Sequence, residues 1–169
     1  MQNIPIILDP VFASGSGNKT STQKQIKLVV KKLLQHCTIA TPNTQEALQL
    51  AQIINPSLNT ENTYQEIADT ILSTGLHNLL ITGTHDSSNQ KIITHRLFSQ
   101  SSYQEFSVPR LAGNYHGSGC TLTSAIAANL AHHLNLEAAI EKSLSYTQQS
   151  LEKAHSLGQH QLFPNRNTC

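Results

Sequence analysis

Two uninterrupted apolar runs limit the folds open to this chain more than any other feature of its sequence. Residues 4–8 read Ile-Pro-Ile-Ile-Leu and residues 78–82 read Asn-Leu-Leu-Ile-Thr, and turn-forming residues follow each run. A short apolar run of this kind is typical of a strand that is buried on both faces of a parallel sheet. Because such a strand needs cover on both faces, the two runs predict a sheet between layers of helices.

Helical patterns fill the chain between these runs. Apolar residues recur at the spacing of one helix face in three segments, which contain Ile26, Val29, Val30, Leu33 and Leu34, then Ala47, Leu50, Ala51 and Ile54, then Tyr64, Ile67, Ala68, Ile71 and Leu72. A short strand is predicted over residues 37–40. Before the third helix, Thr63 and Glu66 have the spacing of a capping box, and Gly75 lies where a helix C-cap belongs.

The second half of the chain predicts a hairpin and two long helices. Residues 92–98 and 103–108 alternate as half-exposed strands do, and the helices run from about 117 to 134 and from about 136 to 154. The alternation of strands and helices predicts an α/β fold, with a mostly parallel sheet flanked by helices and ligands beyond the carboxyl ends of the strands. We expect one domain over residues 1–158 and a flexible tail over residues 159–169.

Charge and composition exclude several classes of function. Charged residues make up 12% of the chain, the formal net charge is +1, aromatic residues make up 5% and tryptophan is absent. We therefore expect no surface for nucleic acid and no basic face for a membrane. The three cysteines are widely spaced, and no apolar run approaches the roughly 20 residues that span a bilayer. These features favour a cytoplasmic protein.

The strongest candidate site is the stretch over residues 116–121, His-Gly-Ser-Gly-Cys-Thr, which directly precedes an apolar helix. Glycines at a helix N-terminus leave backbone N–H groups open to an anion, and a transferring phosphoryl group needs such donors. Gly117, Ser118 and Gly119 are therefore candidate phosphoryl-binding residues. At this helix end we expect Cys120 to have a thiol pKa below about 8.5 and to act as a base or a polar anchor. The alternative is a plain helix start in which Cys120 is a small buried residue.

Oxygen-bearing side chains follow the other predicted strands. Asn43 and Glu46 open the second helix, where they have the donor atoms for a hydrated Mg²⁺ and also the spacing of an ordinary N-cap and capping box. Asp9 either assists such a metal site or is a turn residue. No ligand spacing for zinc is found among the histidines.

A third polar segment ends the second apolar run. Thr82, Gly83 and His85 are candidates for contact with a nucleotide phosphate, and a simple turn is the alternative. The Walker lysine motif, the Gly-x-Ser-x-Gly elbow and the dinucleotide fingerprint are absent from the sequence. With these motifs excluded, the sequence favours a site for phosphate chemistry that does not use a Walker loop.

Taken together, four ordered segments resemble the hydroxymethylpyrimidine and phosphomethylpyrimidine kinases of thiamine biosynthesis. They are Asp-Pro-Val at 9–11, Thr-Pro-Asn with Glu-Ala over 41–47, Thr-Gly-Thr-His at 82–85 and His-Gly-Ser-Gly-Cys-Thr-Leu at 116–122. The most specific piece runs from 116 to 131 and is similar to the family's His-Gly-Thr-Gly-Cys-Thr-Leu run and the alanine-rich helix behind it.

The resemblance implies a ribokinase-like fold in which this chain is the carboxyl-terminal part and lacks the family's amino-terminal strands. It implies phosphorylation of 4-amino-5-hydroxymethyl-2-methylpyrimidine, and then of its monophosphate, with ATP and Mg²⁺. By this resemblance, the transferring group is held by Gly117, Ser118 and Gly119, and the substrate hydroxyl lies beside Cys120. The implied metal site consists of Asn43, Glu46 and Asp9. The ATP phosphates are implied to contact the loop of Thr82, Gly83 and His85.

Two departures from the family pattern, at the family's lysine position and in the missing amino-terminal strands, keep other functions open. The family's strand ends in Lys-Gly-Gly-His, whereas Thr82 stands here at the lysine position. The alternatives are a pyridoxal kinase of the same fold and a non-catalytic nucleotide-binding or assembly half-domain. Without the amino-terminal strands, the first strand exposes an apolar edge. We expect a second copy, a separately encoded amino-terminal half or a rearranged sheet to cover it.

Overall fold

A five-stranded sheet forms the centre of the structure, a computed structural model that describes residues 4–12, 21–84, 91–157 and 161–167. The strands lie in the order β1 (Ile7–Leu8), β2 (Ile39–Ala40), β3 (Asn78–Ile81), β4 (Ile92–Ser99) and β5 (Tyr103–Pro109). The pairs β1–β2 and β2–β3 are parallel, while β3–β4 and β4–β5 are antiparallel. Four of the five strands therefore run in one direction, which confirms the predicted α/β fold and its hairpin.

Helices cover both faces of this sheet. In the described part of the chain they are α1 (Gln23–Lys32), α2 (Thr44–Ile54), α3 (Tyr64–Leu72), α4 (Ser118–Ala131) and α5 (Leu136–Glu152), with a short 3-10 turn over Leu34–His36. Each predicted helix is present. The apolar face predicted for the first helix extends into the 3-10 turn, because α1 itself ends at Lys32. None of these helices is long and apolar enough to cross a membrane.

Strand β3 shows how the two layers share the sheet. Leu79 and Ile81 pack with α1, α2 and α3 on one face, and Leu80 packs with α4 and α5 on the other. All three side chains are fully buried. Successive side chains of a strand point to opposite faces, so an uninterrupted apolar run is what a strand between two helical layers requires.

Strand β1 is an edge strand. It pairs with β2 alone in the described sheet, and its flanking residues Ile4 and Ile6 are 83% and 50% exposed. The prediction that residues 4–8 are buried on both faces is therefore wrong for the start of the run, because no strand or helix of the described chain covers that edge. The predicted exposure of an apolar edge is confirmed.

The segment that follows α5 packs back onto the domain. Strands β6 (His155–Ser156) and β7 (Leu162–Phe163) pair antiparallel, and Pro164 is buried. The Asn165 N–H donates to the Ser150 carbonyl at 2.8 Å. Residues 161–167 thus have defined contacts within the stretch for which the sequence predicts a flexible tail.

A histidine is buried in the layer between the sheet and α4–α5. His95 on β4 pairs with Phe106 of that core, is 5% exposed, and its Nδ1 has no hydrogen-bond partner among the described residues. Burial, with the neighbouring Arg96 charge, lowers the pKa of His95 to about 4. The folded protein therefore binds a proton at this ring more weakly than the unfolded chain does, and protonation favours unfolding.

We predict that the free energy of unfolding falls as the pH drops from about 6.5 towards 4, because the unfolded chain gains this proton first. The loss that belongs to His95 is on the order of 2 kcal/mol at pH 5 and 3 kcal/mol at pH 4. Urea denaturation of the wild type and of His95→Phe across this range measures it. Other titrating groups are common to both proteins, so equal pH slopes for the two would contradict the prediction.

Candidate functional site

The carboxyl ends of β1, β2 and β3 lie side by side, and a polar residue that the sequence predicts to belong to the site follows each of them. Asp9 follows β1, Asn43 comes shortly after β2, and Thr82 directly follows β3. Asn43 and Thr82 form an isolated parallel bridge, and the Thr82 N–H donates to the Pro42 carbonyl at 2.8 Å. Parallel strand pairing thus brings three of the predicted segments to one edge of the sheet.

Helix α4 meets this edge through its first two turns. The Cys120 thiol lies close enough to the Asp9 carboxylate for each group to shift the pKa of the other. One turn further on, the hydroxyls of Thr123 and Thr41 lie 2.8 Å apart. These two contacts join α4, which begins within the fourth predicted segment, to the ends of β1 and β2.

The N-terminus of α4 is open. Gly117 is the N-cap with a φ of +84°, a left-handed conformation that favours glycine, and no side chain of the described residues caps the helix. Gly119 and Cys120 are exposed, and a Cβ added to Gly119 would meet no described atom within 4 Å. The first N–H groups of a helix have no acceptor within it, so these donors are available to an anion.

The thiol of Cys120 is held protonated. The residue as a whole is exposed, but its sulfur is partly buried, and this desolvation is the largest cause that raises the pKa of Cys120. The Asp9 charge and hydrogen bonding to that carboxylate raise it further, and the Arg166 charge opposes them. The prediction of a lowered thiol pKa is wrong, because desolvation of the sulfur and then the Asp9 charge outweigh the helix terminus. The alternative of a buried structural cysteine does not fit either, since Cys120 is exposed. Of the two predicted roles, the geometry fits the polar anchor.

Asn43 and Glu46 form a complete capping box at the start of α2. Asn43 Oδ1 accepts from the N–H groups of Gln45 at 3.0 Å and Glu46 at 2.9 Å, and Glu46 Oε2 accepts from the Asn43 N–H at 2.9 Å. Glu46 Oε1 accepts from the Phe12 N–H at 3.4 Å. The capping alternative is therefore present in the structure, and it fixes the Glu46 carboxylate in a buried position.

Burial raises the energy of the charged form of both carboxylates of the site, and the Asp9 charge adds to this effect at Glu46. Burial raises the pKa of Asp9, and burial followed by the Asp9 charge raises the pKa of Glu46. A divalent cation near both would relieve that cost. Asn43 Oδ1 already accepts two hydrogen bonds, whereas each Glu46 oxygen accepts one and keeps a free lone pair.

This donor set fits a hydrated Mg²⁺ that Asp9 and Glu46 hold through water, and it does not fit a closed cage of protein ligands. Within the described ranges no group of three or more histidine, cysteine or carboxylate side chains is placed to bind a metal directly. Asn43 takes part by positioning Glu46.

The segment after β3 is packed tightly. Thr82 is buried and its hydroxyl donates to the Pro42 carbonyl at 3.4 Å. A Cβ on Gly83 would lie 2.0 Å from the Thr94 carbonyl oxygen, so only glycine fits where β3 leaves the sheet beside β4. His85, the remaining predicted nucleotide contact, lies outside the described residues. The packing explains Thr82 and Gly83 structurally, and their contact with a nucleotide stays a prediction.

Two arginines that the sequence did not single out lie at this end of the molecule. Arg110 Nη1 donates to the Thr84 carbonyl at 3.0 Å, and Arg166 Nε donates to Thr121 Oγ1 at 3.2 Å. Isolated arginines carry no pattern that a sequence reading detects. The segment that contains Arg166 also contains an apolar triplet over residues 162–164, within an otherwise polar end of the chain. That triplet is the sequence signal that indicates packing of this segment against the domain.

Solved kinases have the same fold. Pyridoxal kinase from Staphylococcus aureus in complex with AMP-PCP gives a TM-score of 0.82 at 20% identity, over 96% of this chain and 57% of that one. The ADP complex of Bacillus subtilis pyridoxal kinase gives 0.81 at 22% identity, over 98% of this chain and 61% of that one. These similarities confirm the ribokinase-like fold.

Curated relatives and a family model agree with the motifs. The hydroxymethylpyrimidine/phosphomethylpyrimidine kinase of Aquifex aeolicus is 30% identical over 154 residues, covering 90% of this chain and 58% of that protein. The Escherichia coli protein of the same name is 29% identical over 153 residues, covering 90% and 56%. The chain thus spans just over half the length of these relatives. The phosphomethylpyrimidine kinase model matches residues 1–165, and the chain belongs to this family.

Proposed function

We propose that this chain carries the phosphoryl-transfer half of a hydroxymethylpyrimidine/phosphomethylpyrimidine kinase, with ATP as the phosphoryl donor. The observation that supports this most is the open N-terminus of α4, where Cys120 interacts with Asp9, whose charge in turn acts on the buried Glu46 carboxylate. Membership of the kinase family supports the reaction class, and the names of the relatives support a pyrimidine substrate.

In the proposed reaction, the backbone N–H groups of Gly117, Ser118 and Gly119 donate to the oxygens of the transferring phosphoryl group. The substrate hydroxyl oxygen forms a new bond to the γ-phosphorus as the bond from that phosphorus to the bridging oxygen breaks, and the bonding electron pair leaves with ADP. The hydroxyl proton passes to the Asp9 carboxylate. A raised pKa makes that carboxylate a better proton acceptor than an ordinary aspartate. In the second reaction a phosphate oxygen of the monophosphate takes the place of the hydroxyl.

Cys120 acts in this proposal as a positioning donor. Its protonated thiol donates to Asp9 and so fixes the carboxylate next to the open helix end. A thiolate there would repel both Asp9 and the incoming phosphate, which is why a raised thiol pKa suits the site.

The nucleotide is proposed to extend from α4 towards the end of β3, where Thr82, Gly83 and His85 contact its phosphates. Arg110, which donates to the Thr84 carbonyl, adds a cation on that side. Mg²⁺, when bound, neutralises phosphate charge. Asp9 and Glu46 are the side chains that would hold its water, and Asn43 keeps Glu46 in place.

The exposed edge of β1 is proposed to be an assembly surface, covered by a second copy or by a separate amino-terminal half. Ile4, Ile6 and Val11 expose apolar surface along it. An unpaired edge strand offers backbone donors and acceptors to another strand, and covering apolar surface stabilises the association.

We predict that the pure chain, with ATP and Mg²⁺, converts hydroxymethylpyrimidine to its phosphate ester, measured by mass spectrometry of the products. Pyridoxal in a parallel reaction tests the other substrate class of this fold. Binding of ATP without any ester, in the chain alone and with a co-expressed amino-terminal half, would reject catalysis and leave a nucleotide-binding module.

We predict that Cys120→Ala folds normally and lowers kcat/KM about 10-fold or more, since Asp9 loses the donor that fixes it. Cys120→Ser keeps a donor and should stay within about 3-fold of the wild type. Circular dichroism checks the fold of both variants. If alanine and serine have equal, wild-type rates, Cys120 plays no part in positioning Asp9.

We predict that millimolar Mg²⁺ raises the melting temperature by about 3 °C, because the cation offsets the repulsion between Asp9 and Glu46. The shift should vanish in Asp9→Asn and in Glu46→Gln, where glutamine still completes the capping box. Glu152→Gln, at the exposed end of α5, is the matched control and should shift as the wild type does. An undiminished shift in both site variants would place the cation elsewhere.

A further inference from the structure

The segment that carries Arg166 is anchored at several points next to the N-terminus of α4. The Leu162 N–H donates to the Asn114 carbonyl at 2.8 Å, and the His116 N–H donates to the Leu162 carbonyl at 2.9 Å. The Tyr146 hydroxyl donates to the backbone carbonyl of Arg166 at 2.9 Å. Together with buried Pro164, these bonds fix the backbone from which the arginine side chain extends.

The guanidinium lies over the first turn of α4. Nε donates to Thr121 Oγ1 at 3.2 Å, while the Thr121 hydroxyl donates to the Gly117 carbonyl at 2.7 Å. Nη2 lies 3.3 Å from the position that a Cβ would take on Gly117. The guanidinium cation thus lies beside the backbone N–H groups at the open N-terminus of α4.

Among the described residues, most of the hydrogen-bonding capacity of this guanidinium is unused. An arginine has five N–H donors, and the described contacts of the Arg166 side chain engage Nε alone. No carboxylate within the described ranges forms an ion pair with it. Arg166 is exposed, so its free edge is accessible to a ligand.

We infer that Arg166 is a phosphoryl-binding residue, whose Nη groups donate to oxygens of the group held at the N-terminus of α4. The inference rests on the proposed function, since it assigns a further residue to the same site. Two features make an arginine effective here. Its planar fork matches two phosphoryl oxygens at once, and its charge acts at Cys120 against that of Asp9, at a helix end that must admit another anion.

A purely structural role, in which Arg166 only ties residues 161–167 to Thr121, makes different predictions. Loss of that tie would lower the melting temperature and leave the affinity for an anion unchanged once the protein is folded. A phosphoryl contact instead affects anion affinity in a protein of normal stability. Arg166→Lys and Arg166→Gln separate these effects, because lysine keeps the charge and loses the planar fork.

The test measures binding of pyrophosphate and of a non-hydrolysable ATP analogue by calorimetry, in the wild type, Arg166→Gln, Arg166→Lys and Lys153→Gln. Lys153 is an exposed cation at the end of α5, so its variant matches the change in charge away from the site. We expect Arg166→Gln to weaken pyrophosphate binding about 10-fold or more, Arg166→Lys about 3-fold, and Lys153→Gln less than 2-fold. Melting temperatures of the unliganded proteins are measured in parallel.

Equal pyrophosphate affinity in Arg166→Gln and the wild type would overturn the inference, and so would failure of the wild type to bind either anion. Turnover is scored separately. Ester formation at a wild-type rate by Arg166→Gln rejects the role of Arg166 and leaves the proposed function standing. Arginine-dependent anion binding without ester formation supports the role of Arg166 and rejects the kinase activity.

Discussion

Parallel pairing of three short strands is the constraint on which the site depends. Ile7 and Leu8 pair with Ile39 and Ala40, and Ala40 pairs with Leu79. Because these strands point the same way, the residues that follow them emerge at one edge. A slip of one residue in this register would turn buried side chains towards the opposite helical layer and move the polar residues out of alignment. The apolar pattern that covers both faces of β3 therefore also positions the polar residues at its end.

The residues at that edge of the sheet make structural contacts of their own, and these contacts hold their polar groups in fixed positions. Glu46 caps α2 and is held by two backbone N–H groups, yet each of its oxygens retains a lone pair. Gly83 permits close approach of Thr94, and the backbone after β3 is fixed as a result. Groups held in this way need little reorganisation when a charged ligand arrives, which is the property that electrostatic catalysis requires. Capping and ligand binding are thus compatible roles for one side chain.

Local patterns predicted the elements of this fold well, and long-range neighbours account for what they missed. The capping box of Thr63 and Glu66 and the pairing of β4 with β5 follow from spacing along the chain. The pKa of Cys120 does not, because it is raised first by desolvation in the folded chain and then by Asp9, a residue more than a hundred positions away that only the fold brings close. His95 shows the same limit. An alternating strand predicts that one face is buried, but not that an unpartnered imidazole nitrogen lies on it.

The exposed edge of the sheet is linked through β1 to the chemistry proposed for the carboxyl end of that strand. Asp9 directly follows β1, the strand whose outer side has no partner in the described structure, and Asp9 in turn holds the Cys120 thiol at the start of α4. A short edge strand with bonds on one side is less rigid than a strand with bonds on both. Any strand that pairs with β1 would therefore restrain Asp9 and, through Cys120, the open end of α4. The assembly proposed along this edge and the proposed phosphoryl site would thus be coupled through a single two-residue strand.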